Sequence, residues 1–244
     1  MKRSRLISRR KAIATGLSSL GALMLPGCTA KPLPPTYGSI LRMGDNLTYV
    51  AHRALLPGQS LAKEYSYADI SSFPATGTVN PSEFSEDYAK HLNNSFEDWR
   101  LPIEGLVERP GSYSVADLQK FPQRTQITRH TCEEGWTAIA EWTGVPLSAL
   151  LQHAGILPSA RYVVFYTYDQ WIDSFDMIDA FHPQTLIAYG MNGKTLPLQH
   201  GAPVRLRIER QIGYKSVKYI QKIVVSEKYV DFGEDIGWAW YNGI

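Results

Sequence analysis

Thr128-Arg129-His130-Thr131-Cys132-Glu133-Glu134-Gly135-Trp136 is the point at which the chain changes character. Upstream, Arg124 to His130 is strand-like; downstream, Trp136 to Trp142 reads as helical and is ended by Gly144. Cys132 stands at the junction with two acids directly behind it. The chain has only two cysteines, and Cys28 falls in a segment with the layout of an export signal. One thiol therefore remains for the folded protein, with no intramolecular partner. A lone cysteine so placed is a candidate metal ligand or nucleophile.

Outward from this stretch, Pro146 opens a helix through Leu147, Leu150 and Leu151 that closes near Gly155. Arg161 to Thr167, Val204 to Ile208 and Tyr219 to Val225 are rich in β-formers and predict strands. Trp99 to Val107 reads as a strand, and Ser114-Val115-Ala116-Asp117 as the capped start of a short helix that stops before Pro122. Residues 40–98 are punctuated by Pro57-Gly58, Phe73-Pro74, Gly77 and Asn80-Pro81, which predicts irregular chain wrapped around a core built elsewhere. Regular βαβ alternation is missing. The predicted class is α+β, with mixed, mostly antiparallel sheets and short helices.

The first 27 residues carry Lys2, Arg3, Arg5, Arg9, Arg10 and Lys11, no acid, and an apolar run from Ala12 to Pro26. That is the order of a secretory signal. Ser8-Arg9-Arg10-Lys11-Ala12-Ile13 resembles a twin-arginine motif, which exports folded proteins. Leu25-Pro26-Gly27-Cys28 resembles a lipobox with Cys28 as the lipidated residue; a small-residue cleavage site ending at Ala30 is the other reading. The expected organisation is a signal over 1–30, an extended linker and wrapping segment over 31–69 that opens with Lys31-Pro32-Leu33-Pro34-Pro35, and one domain over 70–244.

Loss of residues 1–27 removes six cations from a formal charge of +2 and leaves −4. A chain with no basic surplus is poorly matched to nucleic acid. The dinucleotide, Walker, zinc-protease and c-type haem motifs are all missing, so those chemistries lack their usual residues.

Four stretches in order carry a resemblance: Arg129 to Trp136; Ala180-Phe181-His182-Pro183-Gln184-Thr185-Leu186; Gly201-Ala202-Pro203-Val204-Arg205-Leu206; and Gly213-Tyr214-Lys215-Ser216-Val217-Lys218. Together, over roughly residues 70–225, they resemble the molybdopterin-binding domain of the sulfite oxidase family. The nearest branch is that of small periplasmic proteins similar to the catalytic subunit of bacterial methionine sulfoxide reductase. The resemblance implies a sulfite-oxidase-like molybdopterin-binding fold and a molybdenum–molybdopterin cofactor (Moco). It implies Cys132 as the molybdenum ligand, a soft thiolate suited to a metal already held by pterin sulfurs. It assigns Arg205 and Lys218 as cationic contacts to the cofactor, Ser216 and Val217 as backbone N–H donors, Thr167 as a hydroxyl contact, and His200 where the branch has Asn. Glu134 and Trp136 match a Cys-x-Glu-x-Trp pattern, in which Glu134 is a candidate proton relay or only a hydrogen-bond acceptor of the following turn. The family's upstream Asn has three candidate counterparts: Thr76, Asn80 and the pair Asn93-Asn94.

The expected activity is oxygen-atom transfer on a small neutral molecule such as a sulfoxide or N-oxide, because two acids beside the metal repel a dianion such as sulfite. Nothing else in the chain stores electrons, so a membrane or soluble cytochrome is the expected partner. The expected state is a periplasmic monomer tethered through Cys28. Two other readings stand beside this one: a thiol hydrolase using Cys132 with His130, His182 or His200 as base, and a pterin-binding module without turnover.

Overall fold

The structure, a computed structural model, describes residues 37–56, 58–230 and 240–244. The signal over 1–30, Cys28 and the spacer 31–35 lie outside the described residues. In chain order the elements are α1 (Tyr37–Leu55), α2 (Glu86–Asn93), β1 (Leu101–Gly105), β2 (Gly111–Tyr113), α3 (Val115–Leu118), β3 (Arg124–Thr131), β4 (Thr137–Pro146), α4 (Leu147–Ala154), β5 (Tyr162–Thr167), β6 (Ile172–Asp176), α5 (Met177–Ala180), β7 (Leu186–Met191), β8 (Lys194–Thr195), β9 (Arg205–Arg207) and β10 (Ile220–Ser226). The mixed α+β class is as expected.

One sheet runs β2-β1-β10-β5-β6, antiparallel except for the parallel pair β1 and β10. The other runs β3-β4-β7-β8, with β9 paired to β7. The main core gathers Trp99, Leu101, Leu118, Leu147, Leu150, Phe165, Leu206 and Ile223, all fully buried.

Two sequence expectations are corrected. The run after Trp136 is not a helix: β4 pairs with β3 in continuous antiparallel register from Thr137↔Thr131 to Gly144↔Arg124. Ala138, Ala140 and Trp142 are buried on one face with the period-2 spacing of a strand. Helix-tolerant alanines yield here to a ladder with β3 over residues 137–144, joined on the other side by β7 from Trp142 to Pro146. Gly144, expected to end a helix, instead lets β4 and β7 close up at a bulge. A Cβ there would lie 2.3 Å from the Ile187 carbonyl oxygen and 2.7 Å from Ala188 Cα.

The second correction is that residues 40–98 are not all irregular, since they hold most of α1 and all of α2. Between those helices the chain does run along the sheet. Tyr65 N–H donates to Ile127 O and Ser71 N–H to Ile139 O, on β3 and β4. This path delivers Phe73 to Thr78 to the end of the β3–β4 hairpin.

The predicted caps form. Ser114 Oγ accepts the Asp117 N–H at 3.0 Å, and Asp117 Oδ2 accepts the Ser114 N–H at 3.2 Å, closing a capping box on α3. Gly155, at φ +71°, ends α4 in the left-handed region.

Candidate active site

Cys132 occupies the tight turn that joins β3 to β4. Its N–H donates to Trp136 O at 2.9 Å and its carbonyl accepts the Gly135 N–H at 3.1 Å. Gly135 takes φ +90°, which a side chain would resist. The thiol is 4% exposed and forms part of the wall of a cavity of about 400 Å³.

Five separated segments build that wall: the approach segment (Phe73, Pro74, Thr76, Gly77, Thr78), the hairpin (His130, Cys132, Glu133, Glu134, Trp136), the β5–β6 loop (Asp169, Trp171), the run before β9 (Gln199, His200, with Arg205) and the turn before β10 (Gly213, Tyr214, Ser216, Val217, Lys218). Of the residues expected from sequence, Cys132, Glu134, His200, Arg205, Ser216, Val217 and Lys218 all meet here.

Thr167 does not. Its hydroxyl is engaged with Asp169 Oδ1 at 2.5 Å and with both the carbonyl and the N–H of Trp171, so it shapes the loop that presents Asp169 and Trp171. The Ser216 N–H is likewise committed, to Gly213 O at 2.9 Å; the residue contributes its carbonyl to Arg205 instead. Of the candidates for the upstream amide, Thr76 lines the cavity, whereas Asn80 caps a 3-10 turn by accepting the Ser82 N–H.

Arg205 brings a buried cation to the cavity wall. Its guanidinium is buried and donates to His200 O at 3.0 Å and Ser216 O at 2.7 Å, and it lies 5.1 Å from the centroid of Trp142. Among the described residues no carboxylate pairs with it. Burial first, then the neighbouring Arg207, lowers its pKa to about 9. Lys218 is held by the carbonyls of Thr76 (2.9 Å), Thr78 and Gln199 (3.2 Å). Burial, then Arg205, brings it to about 8. Two desolvated cations held by carbonyls on one cavity wall are a site made for an anion.

The neighbouring Arg207 is different. It pairs in bidentate fashion with buried Glu209, at 3.1 and 2.7 Å, and its Nη1 donates to His130 Nδ1 at 2.8 Å. That bond makes Nδ1 the acceptor and places the ring proton on Nε2. Gly213 leaves the room His130 needs, since a Cβ there would stand 2.6 Å from Nε2. Burial and then Arg207 depress His130 to about 2, and burial followed by Arg205 depresses His200 to about 4. Both are neutral over the physiological range. Phe73 packs edge-on against His200, Trp136 and Trp142 with centroids 5.4 to 5.6 Å apart, and tilted on His130 at 5.0 Å.

Around the thiol, Cys132 Sγ donates to Glu133 Oε2 at 3.5 Å. Burial is the main reason its pKa is raised, with the two glutamates adding to the effect. Trp136 Nε1–H donates to Glu134 Oε2 at 3.0 Å and orients that carboxylate at the rim. These facts disfavour the hydrolase reading. An activated nucleophile needs a base at the sulfur and a lowered pKa, whereas the thiol bonds Glu133 and neither wall histidine, His130 gives its Nδ1 to Arg207, and His182 is away from the cavity, bonded to Ser60 O at 2.9 Å.

The residues fit a molybdenum–pterin group. Among the described residues no set of three or more His, Cys, Asp or Glu could hold a metal unaided. A single thiolate beside an anion pocket suits a metal that arrives with its own sulfur ligands and a phosphate.

Sequence reasoning missed Phe73, Asp169, Trp171, Tyr214 and Gln199 as wall residues. Tyr214 sits inside a motif already singled out and was within reach; Phe73, Asp169 and Trp171 occupy loops and Gln199 a 3-10 turn, without a pattern.

Comparison with known proteins agrees with this geometry. The profile of the oxidoreductase molybdopterin-binding domain matches residues 89–231. A protein described as a candidate protein-methionine-sulfoxide reductase subunit, YedZ1, from Azospira oryzae is 33% identical over 97% of this chain and 88% of its own length. The protein-methionine-sulfoxide reductase catalytic subunit MsrP of Campylobacter jejuni is 35% identical over 61% of this chain and 57% of its own. Among solved structures, the sulfane dehydrogenase SoxCD of Paracoccus pantotrophus aligns with a TM-score of 0.52 at 29% identity, over 55% of this chain and 39% of the other.

Proposed function

The chain belongs to the oxidoreductase molybdopterin-binding domain family, and from that premise we propose that it is an exported enzyme that removes an oxygen atom from a sulfoxide. The observation that carries the reading is the pairing, in one cavity, of a buried thiol with a desolvated guanidinium and ammonium held by carbonyls. Arg205 and Lys218 would hold the anionic end of the cofactor, and Cys132 would ligate its molybdenum. When bound, the cofactor supplies two-electron oxygen-atom chemistry.

The protein's own residues set what that chemistry can act on. Cys132, whose thiol keeps its proton while buried beside Glu133, would give that proton up on ligating the metal. Reduction of a sulfoxide to a sulfide consumes two electrons and two protons and releases water. Glu134, oriented by the Trp136 indole, is placed at the rim to pass protons inward. Glu133 and Glu134 beside the sulfur disfavour a dianionic substrate, and Phe73, Trp136 and Trp171 offer apolar surface to a neutral one. The names of the similar proteins support methionine sulfoxide as that substrate. Export by the twin-arginine route, a tether through Cys28, a periplasmic location, a monomeric state and a membrane or soluble cytochrome as electron donor complete the proposal.

Elemental analysis of protein exported from a host that makes the cofactor tests it, with about one molybdenum per chain expected. Reduced viologen should then be oxidised on addition of methionine sulfoxide. Metal-free protein would sink the reading, and loaded protein inert to sulfoxides would leave only a pterin-binding module.

A further inference from the structure

Helix α1 is amphipathic with the usual sense reversed. Asp45, Tyr49, His52 and Arg53 follow the i, i+4, i+7, i+8 spacing of one helical face, and that polar face packs on the body of the protein. Tyr49 Oη donates to Asp176 Oδ2 at 2.7 Å, and Arg53 Nη2 pairs with Asp176 at 3.1 Å and Asp179 at 2.9 Å. The Tyr49 and His52 rings stack edge-on against Tyr241. The opposite stripe, Met43, Leu47, Val50 and Leu55, is 61, 54, 50 and 77% exposed. A helix that turns its polar face to the protein and its apolar face outward has something apolar to meet.

The sequence just upstream indicates what that is. Only eight residues, 29–36, separate Cys28 from the first residue of α1, at most about 30 Å of chain. A surface-lying helix has a strong apolar stripe without the length or hydrophobicity to span, and no helix among the described residues is long and apolar enough to cross a membrane. The net charge of −4 left after residue 27 gives the body no electrostatic attraction to an anionic bilayer. Attachment therefore falls to the apolar contact.

We infer that α1 lies on the lipid surface through Met43, Leu47, Val50 and Leu55, as a second attachment beside Cys28; this rests on the proposed export and lipidation. The orientation has a functional consequence. The C-terminal residues on which α1 packs reach the cavity wall: Tyr241 carries the Tyr49 and His52 rings, and the next residue, Asn242, accepts the Ile212 N–H at 2.8 Å, one residue before Gly213 of the wall. Docking by the outer face would hold this wall of the site next to the bilayer, where a membrane donor delivers electrons.

Hydrogen exchange on the full-length exported protein, with and without vesicles of phosphatidylethanolamine and phosphatidylglycerol, tests the inference beside co-sedimentation. Amides of residues 43–55 should exchange about tenfold more slowly with vesicles. Leu47→Glu with Val50→Glu should abolish that slowing, while the doubly substituted protein still sediments through Cys28 and keeps its fold by circular dichroism. Sedimentation of wild type without any slowing in 43–55 would overturn the docking and leave the tether standing. Slowing in 43–55 in a Cys28→Ser protein would uphold the docking without the lipid. Slowing that follows protein concentration in the absence of vesicles would assign the stripe to a second copy of the chain and defeat the lipid reading.

Discussion

At the scale of single residues, Cys132 and Arg205 fail in different ways when replaced. Cys132→Ser is nearly isosteric, so stability should change by about 1 kcal/mol or less. Serine is a harder and far less acidic ligand. The expected protein is folded and pterin-loaded, with an altered molybdenum electron paramagnetic resonance signal and turnover reduced by orders of magnitude. Arg205→Met removes a desolvated cation that no carboxylate neutralises, and orphans the carbonyls of His200 and Ser216. Relief of buried charge and loss of two hydrogen bonds oppose one another, so stability should stay within about 2 kcal/mol while cofactor content collapses. Loss of more than about 3 kcal/mol by urea titration would make the guanidinium structural. The wall histidines add a pH dependence. Both are neutral in the fold, at about 2 for His130 and about 4 for His200, and charged below about 6.5 in the unfolded chain. The unfolded state then binds more protons, so stability falls as pH falls. Each contributes roughly 1.4 kcal/mol per pH unit between pH 6 and 4.5. Thermal unfolding of cofactor-free protein across that window should show the slope, to which buried His182 adds with the same sign, and His200→Gln should make it shallower.

Among the elements, the β3–β4–β7 sheet decides where Cys132 sits, and its tightest point is Gly144. Gly144→Ala forces a methyl onto the Ile187 carbonyl at the bulge. Backbone on both sides leaves nothing to yield, so a loss of about 1–3 kcal/mol is expected in denaturant titration. The capping box on α3 makes the milder contrast. Asp117→Ala should shift the denaturation midpoint far less than Gly144→Ala, because Ser114 still caps the helix and Asp117 is at the surface. The β4 strand also shows why its sequence misleads. Ala138, Ile139 and Ala140 suit a helix locally, and the tryptophans at 136 and 142 do not alternate visibly. Antiparallel pairing with β3 overrides that preference.

For the whole molecule, the question is how α1 is kept on the body. Arg53 bridges Asp176 and nearly inaccessible Asp179, whose carboxyl is pushed up by burial and then by Asp176. Arg53→Met would leave two neighbouring carboxylates without their cation, a loss of about 3–5 kcal/mol at a buried pair. Because α1 is attached mainly through this cluster and the rings of Tyr241 and Trp240, the expected result is local release. Limited proteolysis should cut within 43–63 much faster than in wild type, while the core from β1 to β10 unfolds at nearly the same denaturant concentration. Adding Asp179→Asn should restore part of the protection. A uniform fall in global stability with no new cleavage would show that α1 and the core unfold together.

The sequence by itself determined the family, through four ordered motifs, and much of the architecture. Cys132 with its acids, and the stretch from Arg205 to Lys218, are legible only as ordered motifs that resemble the family, because the type of any one residue leaves a buried cysteine or a solvated strand face open. β1, β5, β9, β10, α3 and α4 are legible because β-branched runs and caps act over a few residues. Only the tertiary structure decided that residues 137–146 form a strand and that Thr167 serves a loop rather than the cavity. It alone brought Phe73, Asp169 and Trp171 to the wall and turned the apolar stripe of α1 outward. Each of these depends on contacts between segments far apart in the chain, where backbone pairing and buried charge outweigh the local preferences a sequence reveals.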